Sequence, residues 1–274
     1  MRNLRKFAIQ INRPSPDTRR HHRKRPVYRQ TLANVGVFFP VMDHRYVTTM
    51  TIAERLVVVQ ERVAAAAVAA GRDPATVKLL AVSKTVPAAV MAAAYAAGQR
   101  RFGENRVQEL RDKVPLLPGD LEWHLIGQLQ ANKVRLAVRL AAWIHSVTSI
   151  ELVERLARIA GEEQLTARIL LEIKVSGEES KSGAAPAAAP GLLEAVLRSP
   201  HLDCVGLMTL APFDVPEPVQ RRVFGELREL RDRLSRDFGV PLPELSMGMS
   251  DDFPAAIREG ATVVRLGTAI FGGR

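Results

Sequence analysis

Short apolar runs alternate with amphipathic stretches along most of this chain. The runs Val77–Lys84, Arg101–Glu104, Leu121–Gly127 and Trp143–Val147 read as buried strands. So do Ala167–Val175, Cys204–Leu210, Glu244–Gly248 and Thr262–Leu266. Between them Ala88–Ala97, Arg106–Lys113, Ala131–Leu140, Ile150–Glu163, Gly191–Leu197, Val219–Phe238 and Phe253–Glu259 read as helices. A further helix, Thr51–Ala70, precedes the first strand, and Thr51 with Glu54 has the spacing of a capping box.

Strands that alternate with helices across short loops imply parallel strands joined by right-handed crossovers. Eight of them within this length predict a single (β/α)8 barrel. An open doubly wound sheet is the second choice. Its glycine-rich turn after the first strand is missing, because Val82-Ser83-Lys84-Thr85 contains no glycine.

The net charge of +10 invites a nucleic-acid reading, but its distribution argues otherwise. Residues 1–49 hold eleven Lys/Arg against Asp17 and Asp43, which leaves 28 basic and 27 acidic side chains for the rest. Residues 1–49 are therefore expected to be a disordered basic extension or an upstream start, with residues 50–274 as the barrel domain. A basic arm for nucleic acid is the less favoured account of the extension. No run of eighteen apolar residues suggests a membrane span. The one cysteine, Cys204, reads as a small buried hydrophobe in a reducing cytoplasm. His124, His145 and His201 lie far apart in sequence, without partners at metal-ligand spacing, so no metal site is expected.

In such a barrel the chemistry collects at the carboxyl ends of the strands. Lys84 ends the first strand, where an amine walled by core on one side can lose its proton and attack a carbonyl. Its plainer reading is a strand-end lysine reaching for water. The ends of the last two strands supply Ser246, Gly248, Gly267 and Thr268: hydroxyls, and glycines that let backbone amides approach an anion. A lysine facing a phosphate nest suits a phosphorylated carbonyl compound, and pyridoxal 5′-phosphate is the candidate.

At these residues the chain resembles the pyridoxal phosphate homeostasis proteins, stand-alone barrels related to the amino-terminal domain of alanine racemase. The matching stretches are Ala81–Thr85, Phe102–Asn105, Trp123–Gly127 with Leu129-Gln130 and Asn132-Lys133, and Glu178–Gly183. The longest matches are Leu245–Asp251 and Val264–Gly272. Leu125 and Gln128 depart from the expected Phe and Pro. The resemblance implies that Lys84 forms a Schiff base with the cofactor. It implies that Ser246, Gly267 and Thr268 hold the phosphate, that Asn105 and His124 line the ring, and that Arg265 faces the pyridine nitrogen. An arginine there stays charged and only donates, which leaves the ring a weaker electron sink. Other roles remain open for several of these residues: His124 as a core histidine, Asn105 as a helix cap and Arg265 as an ion-pair residue. Met247 and Met249 read as packing, Lys133 and Lys181 as surface charges.

The resemblance allows a carrier or an enzyme. A racemase or decarboxylase needs an acid/base on each face of the cofactor, and in the related enzymes a second β-domain delivers a tyrosine. The expectation is that this chain, whose last motif ends at Gly272, lacks that domain. The favoured function is cytoplasmic storage, delivery or buffering of pyridoxal phosphate without strong catalysis. The expected partners are the cofactor and PLP-dependent apo-enzymes, with the chain a monomer. A PLP-dependent racemase or decarboxylase is the alternative.

Overall fold

A computed structural model describes residues 50–176 and 182–273. The basic extension at 1–49, and the Glu178–Lys181 part of one motif, lie outside the described residues. Helix α1 (Ile52–Ala69) starts at the predicted capping box: Thr51 Oγ1 accepts the Glu54 amide, and Glu54 accepts the Thr51 amide. Then follow β1 (Lys78–Val82), α2 (Ala88–Ala96), β2 (Arg101–Glu104), α3 (Val107–Lys113), β3 (Glu122–Leu125) and α4 (Val134–Leu140). The chain continues with β4 (Trp143–Val147), α5 (Ile150–Glu162), β5 (Ala167–Glu172), α6 (Ala189–Leu197) and β6 (Leu202–Met208). It ends with α7 (Glu217–Phe238), β7 (Glu244–Ser246), α8 (Phe253–Arg258), β8 (Val263–Leu266) and a short α9 (Thr268–Phe271). All eight strands pair in parallel with their sequence neighbours, and β8 closes on β1 with Leu80 opposite Arg265. The (β/α)8 barrel expected from the sequence is the fold.

Alternation along the strands sorts side chains to two sides. Leu79, Ala81, Phe102, Trp123, Leu125, Ile144, Ile169, Leu171, Val264 and Leu266 face outward and join one continuous apolar layer with the helices. The helices meet it with one face each: α5, capped by Ser149, buries Val153, Leu156, Ile159 and Ala160. Helix α7 buries Val223, Phe224, Leu227, Leu230 and Leu234. Trp143, Leu170 and Met208 form a second, separate apolar cluster inside the barrel. Cys204 is buried as expected, and that burial pushes its thiol up to about 12. Among the described residues no helix is long and apolar enough to cross a membrane.

Most strands stop two or three residues before the pattern predicts. Ser83, Lys84, Ile126, Gly127, Lys174, Val175, Met247 and Gly248 leave the ladder and form the carboxyl-end rim.

Candidate functional site

Lys84 sits two residues beyond β1, half-buried, in a tight turn that Val86 N–H closes onto the Ser83 carbonyl at 2.9 Å. Thr85, the next residue, has φ +62°, a left-handed conformation that a β-branched side chain resists. Gly267 lies against β1: a Cβ there would stand 3.0 Å from the Val82 carbonyl oxygen. The absence of a side chain at Gly267 thus lets the β8 loop approach the strand that leads to Lys84. Next in that loop, Thr268 is exposed, and its hydroxyl donates to Ser250 Oγ at 3.1 Å. Ser250 did not stand out in the sequence as a partner of Thr268.

Asn105 follows β2 at the rim, half-buried. It does not cap α3, since Arg106 holds the N-cap position without a side-chain bond. Its backbone instead abuts Gly127, where an added Cβ would fall 2.3 Å from the Asn105 carbonyl oxygen. Gly127 therefore keeps the rims of β2 and β3 in contact.

Inside the barrel runs an unbroken polar chain. His124 Nε2 lies 2.8 Å from Glu122 Oε1, and His124 Nδ1 lies 2.8 Å from His145 Nε2. His145 Nδ1 lies 3.0 Å from Ser246 Oγ, to which Arg265 donates at 2.8 Å. The carboxylate can only accept, so each proton points one way along the chain. His124 donates to Glu122, His145 to His124, and the Ser246 hydroxyl to His145. Arg265 also donates to the Ser246 carbonyl at 2.6 Å and the Thr209 carbonyl at 2.8 Å. Burial lowers its pKa to about 10, opposed by Asp252 and Glu172, so it stays charged at neutral pH.

The surroundings of His124 and Ser246 are those of core residues. His124 is fully buried with both ring nitrogens engaged, and it stacks on Trp143 at 5.1 Å between centroids. It stands behind the rim as a core histidine, so its placement does not support the ring-lining role. The Ser246 hydroxyl, also fully buried, is held between His145 and Arg265. His124 and His145, distant in sequence, meet because both point inward from the adjacent strands β3 and β4. Burial lowers the pKa of both, and His145 most strongly because His124 and Arg265 add repulsion. Both are neutral at physiological pH.

Other buried ionisable groups escaped the sequence reading. Glu172, at the end of β5, accepts from Ser182 and is pushed up by burial, while Arg265 opposes that rise. Glu104 and Lys113 form a pair behind the Lys84 turn, 2.9 Å apart. Only the inward or outward parity of each strand position would have flagged them. At the opposite end of the barrel a cavity of about 420 Å³ is lined by Gln60, Gln99, Arg100, Arg101, Asp120 and Glu122. It borders the amino ends of the strands, away from Lys84.

Residues 59–274 match the family model described as alanine racemase, N-terminal domain. Over 227 residues the chain is 49% identical to the pyridoxal phosphate homeostasis protein of Pseudomonas aeruginosa, covering 82% of this chain and 96% of that protein. The chain belongs to the pyridoxal phosphate homeostasis protein family. The Aquifex aeolicus member is 45% identical over 82% of this chain and 99% of its own length. The structure of PipY from Synechococcus elongatus with PLP bound superposes with a TM-score of 0.73 at 42% identity, covering 81% of this chain and all of that one. An alanine racemase from Clostridium difficile, at 15% identity and a TM-score of 0.62, shares the barrel fold.

Proposed function

We propose that this chain binds pyridoxal 5′-phosphate covalently at Lys84 and holds it for storage, delivery or buffering in the cytoplasm. The observation that carries this reading is the approach of Gly267 to Val82 at the end of β1, which brings the loop bearing Thr268, bonded to Ser250, to the strand that leads into the Lys84 turn. The donor set suits the cofactor: an amine for its aldehyde, hydroxyls and a glycine-bounded loop for its phosphate, and a fixed guanidinium for its ring nitrogen. PLP bound to PipY, a relative sharing the same barrel, supports the same occupant here.

When bound, the cofactor supplies an electrophilic aldehyde and an aromatic ring that can draw electrons. Lys84 Nζ would be the group that holds the cofactor covalently through its aldehyde carbon. Thr268 and Ser250 would hold the phosphate, Asn105 would border the ring at the rim, and Arg265 would be the partner of the ring nitrogen. Arg265 is buried, charged and tied to Ser246 and Thr209, so it donates and has no proton to spare. That limits electron withdrawal by the ring and favours holding over turnover. Tyr95, the one tyrosine among the described residues, lies on α2 with Arg100 over its ring at 4.1 Å. It offers no acid/base at the rim. The functional unit is residues 50–274, acting as a monomer that passes cofactor to apo-enzymes.

The test is to incubate the loaded protein with alanine in deuterated water and follow α-proton exchange. In parallel, reactivation of a PLP-dependent apo-enzyme is followed with free PLP as control. Exchange no faster than with free PLP, together with measurable reactivation, is expected. Rapid stereospecific exchange that vanishes in Lys84→Ala would make this protein an enzyme.

A further inference from the structure

Behind the Lys84 turn, on the outward side of the sheet, lies a buried ionic cluster that no part of the cofactor site requires. Glu104 ends β2 and is fully buried. Its Oε1 accepts from Ser83 Oγ at 2.6 Å and from Lys113 Nζ at 2.9 Å. Lys113, on the last turn of α3, also donates to the Ser83 carbonyl at 2.9 Å. One turn earlier on the same helix, Glu109 Oε1 accepts the Thr85 amide at 2.6 Å and lies 3.6 Å from Lys113 Nζ. The residue before Lys84 and the residue after it are thus each fastened to the same group of three side chains.

We propose that Glu104, Lys113 and Glu109 are positioning residues that clamp the Ser83–Val86 turn and so aim Lys84 at the carbonyl carbon of the cofactor. The clamp holds a conformation the turn resists by itself, because Thr85 sits at φ +62°. A residue held in a sparsely populated conformation persists only where its surroundings over-determine it, and here a charge-assisted bond to its own amide does so. Burying Glu104 and Lys113 is costly, and the neighbouring outward positions Ala81, Phe102, Trp123 and Leu125 are apolar. Glu104 Oε2, equally buried, has no hydrogen-bond partner among the described residues. Burial drives that carboxyl up to about 7 against the Ser83 and Lys113 bonds, with Glu109 adding repulsion. The cluster is therefore not the arrangement that stability alone would select. Its geometry serves the one segment it touches from both sides, the lysine turn.

This inference rests on Lys84 being the covalent site. Its test is stopped-flow absorbance of PLP addition to the cofactor-free full-length protein, with borohydride trapping and peptide mapping to locate the adduct. The proteins are wild type, Glu109→Gln, Glu104→Gln and Glu109→Gln/Thr85→Gly, each with its melting temperature measured. Glu109 is half-buried at the edge, so Glu109→Gln keeps the fold even where Glu104→Gln does not. Misaimed reacting groups lose rate steeply, so Glu109→Gln is expected to slow formation of the Lys84 adduct roughly tenfold or more with its melting temperature unchanged. Glycine carries no penalty at positive φ, so Thr85→Gly is expected to restore most of that rate in the Glu109→Gln protein. A merely structural cluster predicts no such rescue. Unchanged adduct formation in Glu109→Gln, or loss that Thr85→Gly leaves in place, overturns the clamp while leaving the Lys84 assignment standing. Wild-type adduct on another residue overturns both.

Discussion

The two sides of this barrel sheet obey different rules. Outward positions such as Phe102, Trp123, Leu125, Ile169 and Leu171 form one apolar layer with the helices. Inward positions carry Glu122, His124, His145, Ser246 and Arg265 in a continuous hydrogen-bonded chain, with Trp143, Leu170 and Met208 as a small apolar cluster beside it. The outer layer is non-directional, and its stability scales with the area it removes from water. The inner chain is directional, since its donors face defined acceptors. It fixes Arg265 and so holds a cation in place inside the buried lumen. The outer layer packs the barrel, and the inner chain ties neighbouring strands together by directed bonds.

The largest effect is expected on the outer side. Phe102→Ala removes a fully buried ring from the apolar layer and is expected to cost about 3–5 kcal/mol, read by denaturant unfolding. Protein that remains folded should still take up cofactor, whereas loss of binding without loss of stability would erase the distinction between the two sides.

The second expected effect comes from the polar intruder in the outer layer, Glu104. Its folded pKa is raised to about 7 from an ordinary 4.5, so the folded state keeps a proton that the unfolded chain releases. Stability is therefore full below pH 4.5 and falls as pH rises toward 7, by up to about 3 kcal/mol. Glu104→Gln should flatten that slope. Equal slopes in the two proteins would contradict it.

The inner chain is expected to give a smaller effect of opposite sign. His145 is held neutral, its pKa depressed first by burial and then by His124 and Arg265. Its stability contribution is present above the unfolded value of 6.5 and is lost as pH falls. His145→Gln, which keeps a donor and an acceptor but does not titrate, should resist acid better than wild type in melts below pH 6. It should also shift the absorbance of the bound cofactor by loosening Ser246 and Arg265. The smallest effect, none within error, is expected for a protein starting at Met50, in both melting temperature and cofactor content.

Element order was legible because parallel strands in this barrel are buried and read as apolar runs between helical periods. The strand ends were not, because rim residues such as Ile126 and Met247 remain apolar while leaving the ladder. The same over-extension put Lys84 on a strand, whereas it sits in a turn kept by Thr85 at positive φ. The residues Lys84, Gly267 and Arg265 stood out by position at strand ends. The meeting of His124 with His145, and the inward set of the Ser246 hydroxyl, depend on side-chain parity across neighbouring strands. A residue list by strand end does not carry that information. Glu104 and Lys113 were hidden for a further reason: charged residues at the ends of a strand and a helix look solvated until tertiary packing closes over them.

The central claim is that Lys84 carries the cofactor. The direct measurement is mass spectrometry of the full-length protein after PLP loading, borohydride reduction and digestion. The account predicts one phosphopyridoxyl group, on the peptide containing Lys84, and none in folded Lys84→Ala. Label on Lys113, Lys133 or Lys174 with Lys84 unmodified would contradict it.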